Sequence, residues 1–417
     1  MMDSTSSDPG AEPPATSPSG PLAGIRVLEL ATVIMAPYAG QLLGDLGADV
    51  IKVEHGSLDS SRVMGGGPTR ELSGIALNLH RNKRSISLDV KTPKGKEIFH
   101  QLLAESDVLL TNLRPGPMKR LGLDYAELSA TMPGLVYCQS QGFASGTEEE
   151  GRPAYDDIIQ ALTGLPWLNQ EVLGTTAFFP SLIGDKIAGL MIAYGILGAL
   201  VHKARTGQGQ RVEVPMFDSV LAFTLVEHLS RATIPGQPAG YSRIMTSHRG
   251  PHKTRDGYIA MMPYTDEHWN SLFGAVDRMD IMERPWFANH RNRLLEADNV
   301  YRDLAEIVVE RTTDEWLGLC HQHEIPVSPV PSLDDIVNDR DQHRGVLSEA
   351  DHPAIGAYRQ IVSPVKMSAT PASVRGHAPL VAQHTVEILT ELGYTTEQIE
   401  EYVREGVARV PRARKEV

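Results

Sequence analysis

Residues 25–54 read IRVLELATVIMAPYAGQLLGDLGADVIKVE. Ile25 to Leu30 is an apolar run of strand length, the small residues from about Pro37 to Leu46 suit a helix, and Val50 to Glu54 is a second strand ending on an acid. Strand, helix and strand in so short a span predict the opening of a Rossmann-like parallel sheet, because parallel neighbours need such a crossover. The turn between strand and helix is ATVIMAP. It lacks the G-x-G-x-x-G spacing that brings backbone up to a pyrophosphate, so the fold signal comes without the dinucleotide signal and argues against a nicotinamide-dependent dehydrogenase.

The same rhythm continues outward. Ser85 to Asp89 predicts a strand, Thr92 and Pro93 open a helix to about Ser106, and Val108 to Thr111 and Leu135 to Gln139 are further strands. Lys186 to Lys203 sets Ile187, Leu190, Met191, Tyr194, Leu197 and Val201 at helical spacing and is apolar on nearly every side, which predicts a buried helix. Gln210 to Pro215 is one more strand, and a helix from about Met216 to Arg231 leads away. Pro235 to Thr254, rich in Pro, Gly and His, predicts a linker into a smaller α+β domain ending near Pro326 to Pro331. The expected division is a disordered tail over 1–20, a large domain over 21–225, linker and small domain over 226–330, and a return to the large domain over 331–417.

Composition bounds the function. A chain of 417 residues is too long for one ordinary core, and 41% hydrophobic with 22% charged residues fits a soluble globular protein. The net charge of -13 argues against a nucleic-acid surface, since phosphate backbones select a positive field. Cys138 and Cys320, the only two cysteines, exclude a disulfide framework or a thiolate zinc site and suit a cytoplasmic location. No membrane span is expected, because Asp185 and Lys186 break the longest apolar run. His321 and His323 point to different faces of a helix with no third ligand placed, so no metal site is expected.

Asp185 follows Gly184 at the start of the apolar helix, where Asp is a favoured N-cap. On spacing alone the cap is the stronger reading, although a carboxylate beside the free N–H groups of a helix start also has the surroundings of a covalent nucleophile.

The ordered segments LAGIRVLELATVIMAPYAGQLLGDLGADVIKVE, NKRSISLDVKTPKGKE, DVLLTNLRPG, MKRLG, RPAYDDIIQALTG, IGDKIAG, RTGQGQRVEVPMFDSVL and APLVAQHTVEILTELG together resemble the class III CoA transferases, the formyl-CoA transferase and carnitine CoA-transferase family. The resemblance covers nearly everything after residue 20. It implies a Rossmann-like large domain with a small domain, an interlocked-ring homodimer, acyl-CoA and carboxylate substrates, and no tightly bound cofactor. By the IGDKIAG match, Asp185 is the nucleophile, acting through an aspartyl anhydride and an aspartyl-CoA thioester. Tyr155 and Asp156 match the second active-site segment, although residue types alone fit an ordinary helix start equally well. Lys83, Arg84, Asn112, Leu113 and Arg120 match the nucleotide-binding positions, with Arg62 and His55 as weaker matches; without the resemblance each charge reads as solvated surface.

The chain also departs from the pattern. Ile34 stands where formyl-CoA transferase has Gln, HRGPHKTRDGY replaces its glycine-rich loop, and Ala382 stands where Gly is usual. The first two weaken a formyl or oxalate assignment. Racemases of the same fold carry His at the position of Tyr155, and Tyr is a poor second base, which favours transferase over racemase. A non-catalytic acyl-CoA-binding protein is the alternative from another class. Succinyl-CoA with a dicarboxylate acceptor is the substrate pair the resemblance suggests.

Overall fold

The structure, a computed structural model, describes residues 20–56 and 58–411; the tail expected over residues 1–20 lies, apart from Gly20, outside the described residues. The chain forms two compact units. One gathers the described residues up to Pro153, Asp185–Met216 and the residues from Val346 onward; the other gathers Ala154–Gly184 and Phe217–Gly345.

The first unit is built on six parallel strands: β1 (Arg26–Leu30), β2 (Asp49–Glu54), β3 (Lys83–Leu88), β4 (Val108–Thr111), β5 (Val136–Gln141) and β6 (Arg211–Pro215). The second unit holds an antiparallel sheet of β7 (His252–Lys253), β8 (Tyr258–Met261) and β9 (Val327–Pro329). Back in the first unit, β10 (Leu347–His352) and β11 (Gly356–Ile361) form a hairpin, and β12 (Ala408–Arg409) runs antiparallel to β3. The large sheet has the order β12-β3-β2-β1-β4-β5-β6. From β1 the chain therefore builds outward to β3, then crosses back to β4 and builds the other way.

The strands read as continuous apolar runs because both faces are covered: Val27, Leu28, Val50, Ile51, Leu109 and Leu110 are fully buried. Strand β3 begins two residues before the expected Ser85. Lys83 and Arg84 look like loop residues, yet they pair in register with Val50 and Ile51. Helices Thr385–Glu391 and Thr396–Arg404 close the unit, adding Ile388, Leu389, Ile399 and Tyr402 to the core around Leu28, Ile86 and Phe99.

The apolar helix spans Ile183–Thr206, three residues longer at its start than expected. It is not buried on all sides, which corrects the expectation. Leu190 (52% exposed), Tyr194 (77%) and Val201 (60%) form an open stripe, whereas Ala188, Ile192, Ile196 and Ala199 face inward. Glycines set the close side: a Cβ on Gly189 would stand 2.8 Å from Tyr38 Cδ1 and 2.9 Å from the Met35 carbonyl oxygen, and one on Gly195 2.8 Å from Val212 Cγ1. Among the described residues this helix is also long and apolar enough to cross a membrane by length and composition. Asp185 and Lys186 do not break the run as expected, because they fall in its first turn.

In the second unit, Trp269, Phe273 and Phe287 stack and tilt at centroid distances of 5.1–5.7 Å, and helix Ala297–Val308 lays Val300, Tyr301, Leu304 and Ile307 onto them. Thr312 and Glu315 form a reciprocal capping box that starts the next helix. The prolines near Pro326 contribute a strand: Val327 pairs with Met261.

Candidate active site

In an open parallel sheet, ligands bind outside the carboxyl ends of the strands where the order reverses, here between β1 and β4. A cavity of about 620 Å³ lies at that place, lined among others by Ala31, Thr32, His55, Asp59, Lys91 and Leu113. Asn112, next after β4, ties the two strand ends together: its Nδ2 donates to the Thr32 carbonyl at 2.7 Å and its Oδ1 accepts the Thr32 N–H at 3.0 Å. A larger cavity of about 910 Å³, with Asp49, Arg84, Arg375 and His384 in its wall, sits at the opposite, amino ends of the strands. The switch-point rule favours the smaller one.

Beneath the crevice lie four buried charges. Lys52 Nζ stands 2.7 Å from the Ala31 carbonyl, 3.1 Å from Glu29 and 3.0 Å from Asp59; Lys83 Nζ stands 2.7 Å from Glu29 and 2.7 Å from the Pro37 carbonyl. Asp59 Oδ1 accepts the N–H of Val33 at 2.9 Å. Val33 has φ +67°, a left-handed conformation that a β-branched residue rarely adopts. Two cations and two carboxylates therefore hold the backbone of the turn Ala31–Pro37 from below, and the strain at Val33 is retained because this network over-determines it. Burial works against the charge of Asp59, but Lys52 and the N–H groups of Val33 and Ser61 outweigh it and lower its pKa. Burial also pulls Lys52 down, yet Glu29 and Asp59 prevail and raise it. On Lys83, burial and the neighbouring Lys52 outweigh Glu29 and bring the ammonium down to about 8.

The residues expected to bind nucleotide divide accordingly. Leu113 and His55 line the crevice and Asn112 braces it. His55 lies 3.3 Å from Asp89, but burial lowers its pKa and favours the neutral ring. Lys83 faces Glu29 inside the unit. Arg84 is held by Asp49, Glu387 and Glu391 and lines the opposite cavity. Arg62 is fully buried, bidentate to Glu54 at 2.8 and 2.7 Å and bonded to the Pro379 carbonyl at 2.9 Å. Arg120 is exposed near the end of helix Pro115–Leu121. These four do not line the crevice, because carboxylates or solvent already satisfy them.

Asp185 lies in the first turn of Ile183–Thr206, inside the helix and not at its cap, at the end where the backbone dipole favours a carboxylate. It is one turn before Gly189 and on the same helix face. Gly189 packs on Met35, inside the turn whose first residues, Ala31 and Thr32, line the crevice. In the other unit, Asp156 is 4% exposed and accepts from Gln160 Nε2 at 2.7 Å. Gln160 also bonds the backbone of Phe179 and Ser181. A Cβ on Gly184 would stand 3.1 Å from Asp156 Oδ1, so only glycine fits there with ease. Tyr155 is 69% exposed and makes no side-chain cap to its helix. Asp156 is thus fixed and Tyr155 open, two environments that the adjacent sequence positions do not distinguish.

Sequence reasoning missed Glu29, Lys52, Asp59 and Gln160. A signal for the first two exists: Glu29 and Lys52 are register partners on adjacent buried strands, where an unmatched charge would be intolerable.

Residues 22–385 match CoA-transferase family III. The chain is 32% identical over 407 residues to the succinyl-CoA–L-malate CoA-transferase alpha subunit of Chloroflexus aurantiacus, covering 93% of each chain. It is 31% identical over 392 residues to the succinyl-CoA:mesaconate CoA-transferase of Haloarcula hispanica, covering 90% of this chain and 98% of the relative. Among solved structures, a CaiB/BaiF family protein from Brucella suis superposes with a TM-score of 0.75 at 27% identity, over 90% of this chain and all of that one (100%). With a parallel sheet, a crevice at its switch point and a family match from Leu22 to Thr385, the chain belongs to CoA-transferase family III.

Proposed function

We propose that the protein moves CoA from succinyl-CoA to a short dicarboxylic acid through Asp185. The observation that supports this reading is the position of Asp185 in the first turn of a helix that packs one turn later, at Gly189, against Met35, four residues after Ala31 in the crevice wall. Asp185 attacks the acyl-CoA carbonyl; the C–S bond breaks and a mixed anhydride and CoA thiolate form. The thiolate attacks the aspartyl carbonyl and expels the first acid, leaving an aspartyl-CoA thioester. The acceptor carboxylate then attacks this thioester, and the steps run in reverse. Free N–H groups at the helix start stabilise the oxyanions. Water must be kept out, because each intermediate is hydrolysable.

On this reading the crevice beside Leu113 and His55 takes CoA, and Asp156 and Tyr155 serve the acyl end. The unit built on the large sheet is a Rossmann-like CoA-binding domain, the unit of Ala154–Gly184 and Phe217–Gly345 is the smaller domain in place of the expected 226–330, and two chains interlock in a cytoplasmic homodimer without a tightly bound cofactor. Relatives named for succinyl-CoA with malate or mesaconate support the substrate class.

Incubation with succinyl-CoA and no acceptor, followed by mass spectrometry, is expected to find CoA on the peptide containing Asp185, released by hydroxylamine. Asp185→Asn should form no adduct and lose transfer by at least about 10³-fold, since a neutral amide is a poor nucleophile. Its stability should fall by no more than about 1 kcal/mol, the scale of a first-turn carboxylate. Transfer by a well-folded Asp185→Asn protein would refute the mechanism.

A further inference from the structure

The second unit contains a cavity of about 430 Å³ whose walls come from the loop before β7, from β8 and β9, and from Tyr301. Ala260, Met261, Met262, Pro326 and Val327 make it mostly apolar. Arg249 is its one guanidinium, and no carboxylate lines it. Arg255, Arg278, Arg284 and Arg293 of the same unit each meet a carboxylate. Arg249 has no ion pair among the described residues, and its Nε is buried without an acceptor. A guanidinium partly withdrawn from water and unpaired gains from a counter-charge, so the position suits an anion.

The arginine is also held in place. The ring of Tyr301 lies under it, 5.9 Å from the guanidinium carbon, with the ring of His252 stacked on Tyr301 at 6.4 Å. The Tyr301 hydroxyl is already engaged with Met262 Sδ at 3.3 Å. On the loop, Thr246 and His248 both bond Asp298, at 2.5 and 2.8 Å. These two bonds anchor the loop that carries Arg249. His252 supplies no competing charge, because burial holds its ring neutral, down to about 4.

We propose that this cavity binds a short-chain organic acid, its carboxylate on Arg249 and its carbon chain against Met261, Met262 and Val327. A planar guanidinium matches a carboxylate in two-point geometry, and the apolar wall favours a methylene or methyl-branched chain over a phosphate or a sugar. The inference rests on the transferase reading for its link to catalysis, since that reaction handles such acids both free and as acyl groups whose distal carboxylate needs a cation.

The test titrates succinate into the full-length protein by calorimetry and, in a second arm, compares KM for succinyl-CoA with KM for butyryl-CoA. Arg249→Gln should weaken succinate at least tenfold if the free acid is the occupant, or raise KM for succinyl-CoA at least tenfold relative to butyryl-CoA if the acyl group is. Arg249→Lys should recover part of either loss. Ala260→Leu narrows the cavity without touching the arginine and should reproduce the weakening, so a poorly folding Arg249→Gln protein leaves the test intact. Unchanged succinate affinity together with an unchanged succinyl-to-butyryl ratio overturns the proposal. If the wild type binds succinate through Arg249 but transfers CoA to no acid, the transferase reading fails and the carboxylate site stands.

Discussion

At the scale of single residues, the environment of a charge decides its role. Arg62 sits in a sequence that resembles a phosphate-contacting segment, yet its guanidinium is buried on Glu54 and the Pro379 carbonyl. Arg62→Ala should therefore lower the unfolding free energy by about 3–5 kcal/mol, the cost of leaving Glu54 as an uncompensated buried charge. Denaturant titration of that variant beside Arg62→Met/Glu54→Gln checks this, because the double variant should regain much of the loss. A phosphate ligand would instead raise KM for acyl-CoA with little effect on stability. Ala382 is a quieter case. Its φ of +66° explains why related chains favour glycine there, and its N–H donates to Ser85 Oγ at 3.0 Å. Ala382→Gly should stay within about 1 kcal/mol of the wild type, since relief of strain offsets the lost methyl and the added chain entropy. Ala382→Val should destabilise more than this in the same titration, because β-branching disfavours the left-handed region.

At the scale of elements, the turn after β1 is the part of the chain whose shape depends most on residues far away. Asp59 accepts the Val33 N–H while neutralising Lys52, so its two oxygens do different work. Asp59→Asn keeps an acceptor but removes the charge and should cost about 3 kcal/mol. Asp59→Ala also strands the Val33 N–H and should cost about 1–3 kcal/mol more. Measuring both separates charge from hydrogen bonding; equal losses would show that the strained turn does not need this acceptor. The helix Ile183–Thr206 presents a second element-scale feature, the open stripe of Leu190, Tyr194 and Val201. Leu190→Glu/Tyr194→Glu should hardly alter an isolated chain, where surface changes stay within about 0.5 kcal/mol. In the proposed homodimer the same pair should abolish assembly, as read by light scattering.

At the scale of the molecule, the second unit should show its own response to acid. His252 is neutral and buried, with its pKa pushed down to about 4 from 6.5 by burial. Between these values the unfolded chain binds a proton that the folded unit does not, so stability is complete above pH ~6.5 and falls by about 1.4 kcal/mol per pH unit as pH drops toward 4. All four tryptophans, Trp167, Trp269, Trp286 and Trp316, belong to the second unit, so tryptophan fluorescence isolates its unfolding. Guanidinium titrations at pH 7 and 5 should show the second unit losing stability, and His252→Asn should shrink that loss. An unchanged pH dependence in His252→Asn would assign it to other groups.

The sequence by itself determined the parallel sheet, most helix positions and the family, because apolar periodicity and ordered motifs are local and survive without coordinates. Val108–Thr111 could be read to the residue for that reason. The motifs marked Asp185 as the expected nucleophile, and marked Asn112 and Leu113, which brace and line the crevice. The start of β3, the partners of Arg62 and Lys83, and the strained Val33 were not, since each depends on contacts between segments distant in the chain. Lys83 and Glu29 are 54 positions apart, and Arg62 and Pro379 are 317 apart. A charge reads as solvated until packing withdraws it from water, and only then must a partner be found. Arg249 reverses this logic: packing partly withdraws it and supplies no carboxylate, so its missing partner is visible only in the tertiary structure.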